Sequence, residues 1–494
     1  VGDKRAKPVI VINLNLERSH DWRFHFYSAD LGDDGEINVR LDSETPIMDP
    51  IVHTEAGVST LEAMRYLKAG EHTVNIARKG NAELKHLVVR AIPELQFAFF
   101  GTGTNISHFG PYDWDFLKKD VIPNTNVMVA GLEHYSKRGN ARLEQWKKMG
   151  RKWISIKDVP RNLLSKKDAV EQFYQYWANT AGMKNPLADG IIVDEFYRGD
   201  STYHDIYRQA VEKLYANPKF KGKGFYPYCD KFYSYKRSVR FIQTCIKGGG
   251  YPTLMMYFAE RPTEEEHRLI MHRIMTKKMP RWEKAIPGVT RRMVMALALY
   301  TLPTYNTNHY PSVDFKVHMQ TQMDLLSNHP AFFGLGGIQW YHSGYADEDT
   351  VRWAGRLHRY YAIEGNTDPP NKDPYILPHI QNPGFIRKTE GWNIQPAETG
   401  SIQAKKFKQY GRLKSMSADN IDDDFLWMKR SAAGPNEFSQ EIRNLTPGRV
   451  YSMKMITSDY QDLVRGKSDK KQNAVSIRLD NVEIIPGAKN SFQH

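Results

Sequence analysis

Hydrophobic and polar residues follow three different rhythms along the chain, and each predicts a different architecture. Up to about residue 93, apolar and polar positions alternate in short runs such as Val9-Ile10-Val11-Ile12, Trp22-Arg23-Phe24-His25-Phe26, Ile37-Asn38-Val39-Arg40, His72-Thr73-Val74-Asn75-Ile76 and Leu87-Val88-Val89-Arg90, with Gly, Asp and Asn between them. A period of two broken by turn residues predicts antiparallel strands, so residues 1–93 are expected to form an N-terminal β-sandwich. From 94 to 366, short apolar runs alternate with helical patterns, the signature of repeated β-α units around a parallel sheet. Strands are expected at 95–100, 126–132, 152–157, 188–193, 224–228, 253–258 and 336–341. Helices are expected at 141–149, 166–180, 203–215, 235–246, 263–276 and 348–362, with Asp347 or Asp349 as the last N-cap. The stretch Met293 to Tyr305 fits a helix as well as a strand; taken as the seventh strand, it completes eight units in about 270 residues, the size of a (β/α)₈ TIM barrel. The polar, proline-rich segment 367–375 cannot continue a helix and reads as a linker. Residues 376–494 return to short strand patterns and are expected to form a second antiparallel β-sandwich.

One strand carries the chemistry. In Ala188-Asp189-Gly190-Ile191-Ile192-Val193-Asp194-Glu195, an apolar run leads straight into two carboxylates. This predicts a buried parallel strand that delivers Asp194 and Glu195 at its C-terminal end, where barrel active sites lie. Adjacent acids there raise the pKa of at least one of them and suit it to proton transfer near neutral pH. Side chains alternate along a strand, so the two acids are not expected to flank one bond together. Either Glu195 or Asp194 is then the acid/base, with Glu260 the preferred partner across the barrel and Glu133 the next. The other strand ends offer His108, His134, Lys157, Asp158, Tyr228, Tyr257, Gln339, Trp340, Tyr341 and His342. Aromatic rings for sugar C–H faces, mixed with acids and amides for hydroxyls, predict a carbohydrate site. The plainer alternatives are a strand capped by Asp194 with Glu195 in a salt bridge, Tyr257 and Trp340 as packing, and His108 and His342 as structural histidines.

Composition narrows the partners. The net charge of +13 over 494 residues favours an anionic partner. The basic residues are scattered, with no long basic arm or zinc-finger spacing, so nucleic acid is not expected and an acidic or sulfated glycan is. No apolar run approaches the roughly 18 residues of a membrane span. The two cysteines, Cys229 and Cys245, form no metal-binding spacing, and Asn420-Ile421-Asp422-Asp423-Asp424 lacks the spacing of a calcium loop. Neither cofactor nor metal is expected. The start at Val1, without initiator Met or leader, fits removal of a targeting segment or trimming, and with a polysaccharide substrate the expected location is secreted or periplasmic. Oligomeric state stays open.

Three stretches resemble known families. Leu67-Lys68-Ala69-Gly70, running into a strand, resembles an edge of jelly-roll carbohydrate-binding modules. Asn382-Pro383-Gly384-Phe385, Gly391-Trp392, Gln440-Glu441-Ile442 and Leu445-Thr446-Pro447-Gly448 follow the order of such modules over about 110 residues of the C-terminal region. Asp189-Gly190-Ile191-Ile192-Val193-Asp194-Glu195, Met255-Met256-Tyr257 and Gly336-Gly337-Ile338-Gln339-Trp340 resemble the fourth, sixth and last barrel strands of chitinase-like glycoside hydrolases. Trp340 comes one residue early, the Asp/Glu spacing is shorter by one, and the Asp after the sixth-strand Tyr is missing. The resemblance implies a glycosidase barrel between two carbohydrate-binding-module-like sandwiches. A polysaccharide lyase and a non-catalytic glycan-binding protein are the alternatives.

Overall fold

The computed structural model describes residues 10–17, 19–30, 36–42, 51–52, 58–80, 82–98, 114–132, 139–196, 199, 201–301, 306–407, 423–467 and 475–485. Eight parallel strands close into a barrel: Glu94–Ala98, Val127–Val129, Lys152–Asp158, Gly190–Asp194, Gly224–Cys229, Thr253–Met256, Val294–Ala298 and Gly337–Tyr341. They are called first to eighth below, and the eighth pairs with the first. The Met/Ala/Leu stretch resolves as the seventh strand, buried at every position. Its helix-favouring composition yields to pairing on both sides. The helix expected to stop at Thr276 runs to Ala285 with Pro280 inside it. Burial of Met279 and Trp282 beyond that point outweighs the lost backbone bond.

Gly190 shows why the fourth strand begins as it does. Its φ is +138°, and an added Cβ would lie 2.0 Å from the Gly224 carbonyl oxygen on the next strand. Gly190→Ala combines a disfavoured φ with a backbone clash and is expected to destabilise the protein by about 3 kcal/mol, read as a lower urea midpoint with unchanged slope.

Before the barrel, Ile10–Leu16, Gly70–Lys79, Glu36–Leu41 and Ile51–Val52 form one antiparallel sheet, and Val58–Leu67, His20–Asp30 and Leu84–Ile92 a second. Strand His20–Asp30 is two-faced. Phe24 and Phe26 enter the core between the sheets, while the alternate residues Asp21 and Arg23 are buried toward the base of the barrel. Met64 and Ile92 join Leu95, Ala362 and Ile363 in a small apolar cluster at that junction.

After the barrel, Asn393–Gln395 pairs with Glu437–Ser439, and Ile402–Lys406 with Asp424–Met428, both antiparallel. The Asn-Pro-Gly-Phe and Gly-Trp stretches meet here. The Asn382 amide donates to the Lys388 and Glu390 carbonyls, Trp392 Nε1 donates to the Asn382 carbonyl, and Phe385 stacks on Trp392 at 5.3 Å. In carbohydrate-binding modules of the order that Leu445-Thr446-Pro447-Gly448 resembles, such a turn leads into a further strand, but here no ladder follows it among the described residues. Gly448 makes the turn at φ +77°, but the chain beyond it sends Lys454 to the barrel, where Nζ donates to the Thr301 carbonyl at 2.6 Å.

The barrel interior carries a buried polar chain. The Tyr228 hydroxyl donates to Gln339 Oε1 at 2.7 Å, Gln339 Nε2 to Gln96 Oε1 at 2.7 Å, and Gln96 Nε2 to Glu94 Oε2 at 2.8 Å. Lys152 Nζ donates to Glu94 Oε1 at 2.8 Å and lies 4.0 Å from Asp21. Burial opposes the Lys152 charge, but Glu94 and then Asp21 overcome it and hold its pKa well above the usual value. Lys152 serves Glu94 first. Burial therefore pushes Asp21 up to about 7 in spite of the ammonium. With the folded value above the unfolded one, the folded state holds the extra proton between them. The stability this provides is complete below about pH 4 and is lost as the pH rises through 7. Relative to Asp21→Asn, the wild type is expected to lose up to about 4 kcal/mol between pH 4 and 8, seen as a wild-type denaturant midpoint that falls steadily relative to that of the variant.

Candidate active site

Strand parity sorts the two acids of the fourth strand. Ile191 and Val193 pack outward among the helices, whereas Ile192 faces the barrel interior, so Asp194 faces inward and Glu195 does not. The Asp194 charge accordingly reaches Tyr228, Tyr257, Tyr300 and Tyr341, from the ends of the fifth to eighth strands. Burial first, then neighbouring hydroxyls and Asp194, push all four phenols up, so they remain protonated. The rings of Tyr257 and Tyr341 lie parallel at 5.3 Å between centroids, with Tyr228 and Tyr300 edge-on to Tyr341 at 5.4 and 6.1 Å. An aromatic wall thus stands across the mouth from a carboxylate.

Asp158 ends the third strand in direct register with Asp194. Residues in register on neighbouring strands share a face and lie about 4.8 Å apart at the backbone, so the mouth holds a carboxyl pair. Partial burial and then the Glu195 charge raise the Asp158 pKa, with Lys157 opposing. Glu195 itself adopts φ +64°, a region few non-glycine residues enter, and its backbone N–H donates to Asp194 Oδ1 at 2.7 Å. Its side chain stands on the rim, 60 % exposed, with Oε2 3.6 Å from the Arg161 guanidinium.

The remaining sequence-predicted residues divide. Tyr257 is half-buried in the aromatic wall, and Tyr228 and Gln339 form its floor through their hydrogen bond. His342 is buried beside Tyr300 and Tyr345. Its Nδ1 accepts the Gly344 N–H at 3.0 Å, which leaves the proton on Nε2, and burial lowers its pKa to about 3. Trp340 belongs elsewhere: parity turns it outward, fully buried among the helices near His358, and Tyr341 takes the inward place. Glu260 is 1 % exposed; Oε2 accepts the Tyr310 N–H at 3.0 Å and Oε1 has no hydrogen-bond partner among the described residues. Burial drives its pKa well above the usual range, against the Tyr310 N–H and Lys454. It fixes the loop that follows the seventh strand. His108, Glu133 and His134 lie outside the described residues.

The strand ends offered Asp158 and Tyr341 as rim residues without a catalytic role, and Tyr300 is the member that sequence reasoning missed. Asp158 and Tyr341 stood at correctly placed strand ends; Tyr300 followed the ambiguous seventh run. Among the described residues no cluster of three His, Cys, Asp or Glu is arranged to hold a metal ion, and no helix is long and apolar enough to cross a membrane.

No protein-family model and no curated protein matches the chain. Among solved structures, the Group II chitinase catalytic domain 2 of Ostrinia furnacalis overlaps 56 % of this chain and 98 % of its own, at 9 % identity and TM-score 0.39. The C-terminal domain of a protein named as a putative chitinase, from Desulfitobacterium hafniense, overlaps 54 % and 98 %, at 12 % identity and TM-score 0.37. A β-glucuronidase from Ruminococcus gnavus overlaps 69 % and 83 %, at 9 % identity and TM-score 0.35. Overlaps this loose leave the fold to rest on the strand order itself and the function on the site.

Proposed function

We propose that the chain is a glycoside hydrolase that cleaves a polysaccharide or oligosaccharide, with Asp194 transferring the proton and Asp158 as the second carboxyl. The observation that carries this reading is the inward-facing, in-register pair Asp158 and Asp194 opposite the parallel rings of Tyr257 and Tyr341. Hydrolysis of a glycosidic bond needs one carboxyl to protonate the leaving oxygen and another to attack or to activate water. The parallel rings of Tyr257 and Tyr341 supply flat apolar faces for a pyranose ring, and their protonated hydroxyls supply polar contacts. Glu195, exposed beside Arg161, is placed to bind substrate hydroxyls rather than to take part in the proton transfer. An anionic substrate is supported by the net charge of +13 and by Lys157 and Arg161 near the rim, and with it a site of action outside the cytoplasm.

The raised tyrosine pKa values weigh against a polysaccharide lyase that uses a tyrosine rather than a histidine as its base. Digestion of a panel of neutral, uronate and sulfated glycans, read by mass spectrometry, tests the proposal. Products that carry the mass of added water support it, and products with an unsaturated uronate absorbing in the ultraviolet would sink it.

A further inference from the structure

At the opposite end of the barrel, a cleft of about 550 Å³ opens between the N-terminal sheets and the barrel base. Arg23 from strand His20–Asp30, Arg151 just before the third strand and Arg359 from the helical segment His358–Ile363 converge on it, with His25, Glu62 and Glu364. The seven residues of the third strand separate this cleft from the active-site mouth by about 20 Å.

The charges in the cleft do not balance. Glu62 is shared: it accepts from Arg23 Nε at 2.7 Å and from Arg359 at 2.9 and 3.2 Å, so one carboxylate serves two guanidinium groups. Glu364 is exposed and only 3.9 Å from Arg359. Among the described residues Arg151 makes no ion pair, and only the Glu62 charge, already shared, favours its cation. One of its terminal nitrogens donates to the Ile122 and Thr125 carbonyls, while Nε is enclosed and without a hydrogen-bond partner. Burial, followed by Arg65, lowers its pKa to about 10. An enclosed guanidinium with a bare Nε–H is short of an acceptor, and that edge of the fork is the one that grips carboxylate, sulfate or phosphate. His25 adds a donor: its Nδ1 lone pair takes the Arg23 N–H at 2.8 Å, which leaves the ring proton on Nε2.

We propose that this cleft is an oxyanion-binding site, separate from the catalytic mouth, in which Arg151 grips a sulfate, phosphate or carboxylate group between the N-terminal sheets and the barrel. The group is either a free ion or a substituent of an anionic saccharide. Its occupation would relieve the mutual repulsion of Arg23, Arg151 and Arg359 and fasten the two parts of the chain together. This assignment stands whether or not the mouth cleaves glycans.

The test uses the full chain in thermal unfolding and calorimetric titration with sodium sulfate, sodium phosphate and glucose 6-sulfate, against sodium chloride at matched ionic strength. A saturable rise in Tm beyond that of chloride is expected. Arg151→Gln should weaken the apparent affinity at least tenfold, since it removes a charge-assisted contact. Glu364→Gln, at an exposed position, should strengthen it roughly threefold by removing a like charge. Glucose 6-sulfate tighter than sulfate assigns the group to a saccharide, and the reverse order assigns it to the free ion. Shifts no larger than those of chloride, or equal in the wild type and in Arg151→Gln, overturn the proposal. If Arg151→Gln does not fold, unchanged affinity in Glu364→Gln overturns it equally.

Discussion

Asp194→Asn is expected to lower kcat on the cleaved glycan by about 10²- to 10⁴-fold, the usual contribution of a positioned proton donor, while Tm stays within a few degrees. The amide is nearly the same shape as the carboxyl, and its oxygen can still accept the Glu195 N–H that fixes the turn. What it lacks is a transferable proton. Glu195→Gln serves as the contrast. Its side chain stands on the rim beside Arg161, so a smaller loss is expected, about tenfold and mostly in KM, as for a residue that binds the ground and transition states alike. If instead Glu195→Gln abolishes turnover and Asp194→Asn spares it, the inward carboxyl is not the proton donor and the chemistry lies on the rim.

Lys152→Met should lower stability by about 3–5 kcal/mol at pH 8, because it leaves buried acids without their cation. Lys152 lies 2.8 Å from Glu94 and 4.0 Å from Asp21, with its ammonium over the Tyr66 ring at 3.9 Å. Methionine keeps most of the stem's packing, so the loss reports charge rather than a cavity. It should also shrink between pH 8 and 5, since Asp21, with its value near 7, takes up a proton over that interval and no longer needs a partner. Urea unfolding at several pH values measures both parts. A loss independent of pH would mean that the lysine acts through packing alone.

The barrel was readable in the sequence because a parallel strand buried on both faces writes a plain apolar run, and seven such runs stand between recognisable helices. Two elements hid their nature. The seventh strand is made of Met, Ala and Leu, which favour helices, and only pairing on both sides makes it a strand. The helix Phe315–Asn328, capped by Asp314, was not anticipated, because its buried His318, Gln320, Thr321 and Gln322 erase the apolar stripe that marks an amphipathic helix. The same limit applied at the site. The expected separation of Asp194 from Glu195 followed from period two alone. That Asp158 stands beside Asp194 depends on the register between strands, which no local pattern encodes. Glu260 looked catalytic for being an acid near a strand end; a loop arriving from fifty residues onward covers it and takes its oxygen.

The hydrogen-bonded chain through the barrel sets one further condition on anything that settles at the mouth. Lys152 can only donate, so Glu94 receives, and the two amides are obliged to orient the same way, each handing its hydrogen toward the base. The phenolic hydrogen of Tyr228 is committed downward by this relay. A sugar hydroxyl meeting that oxygen from above must therefore bring its own hydrogen, and a ligand that offers only an ether or ring oxygen there finds nothing to bind.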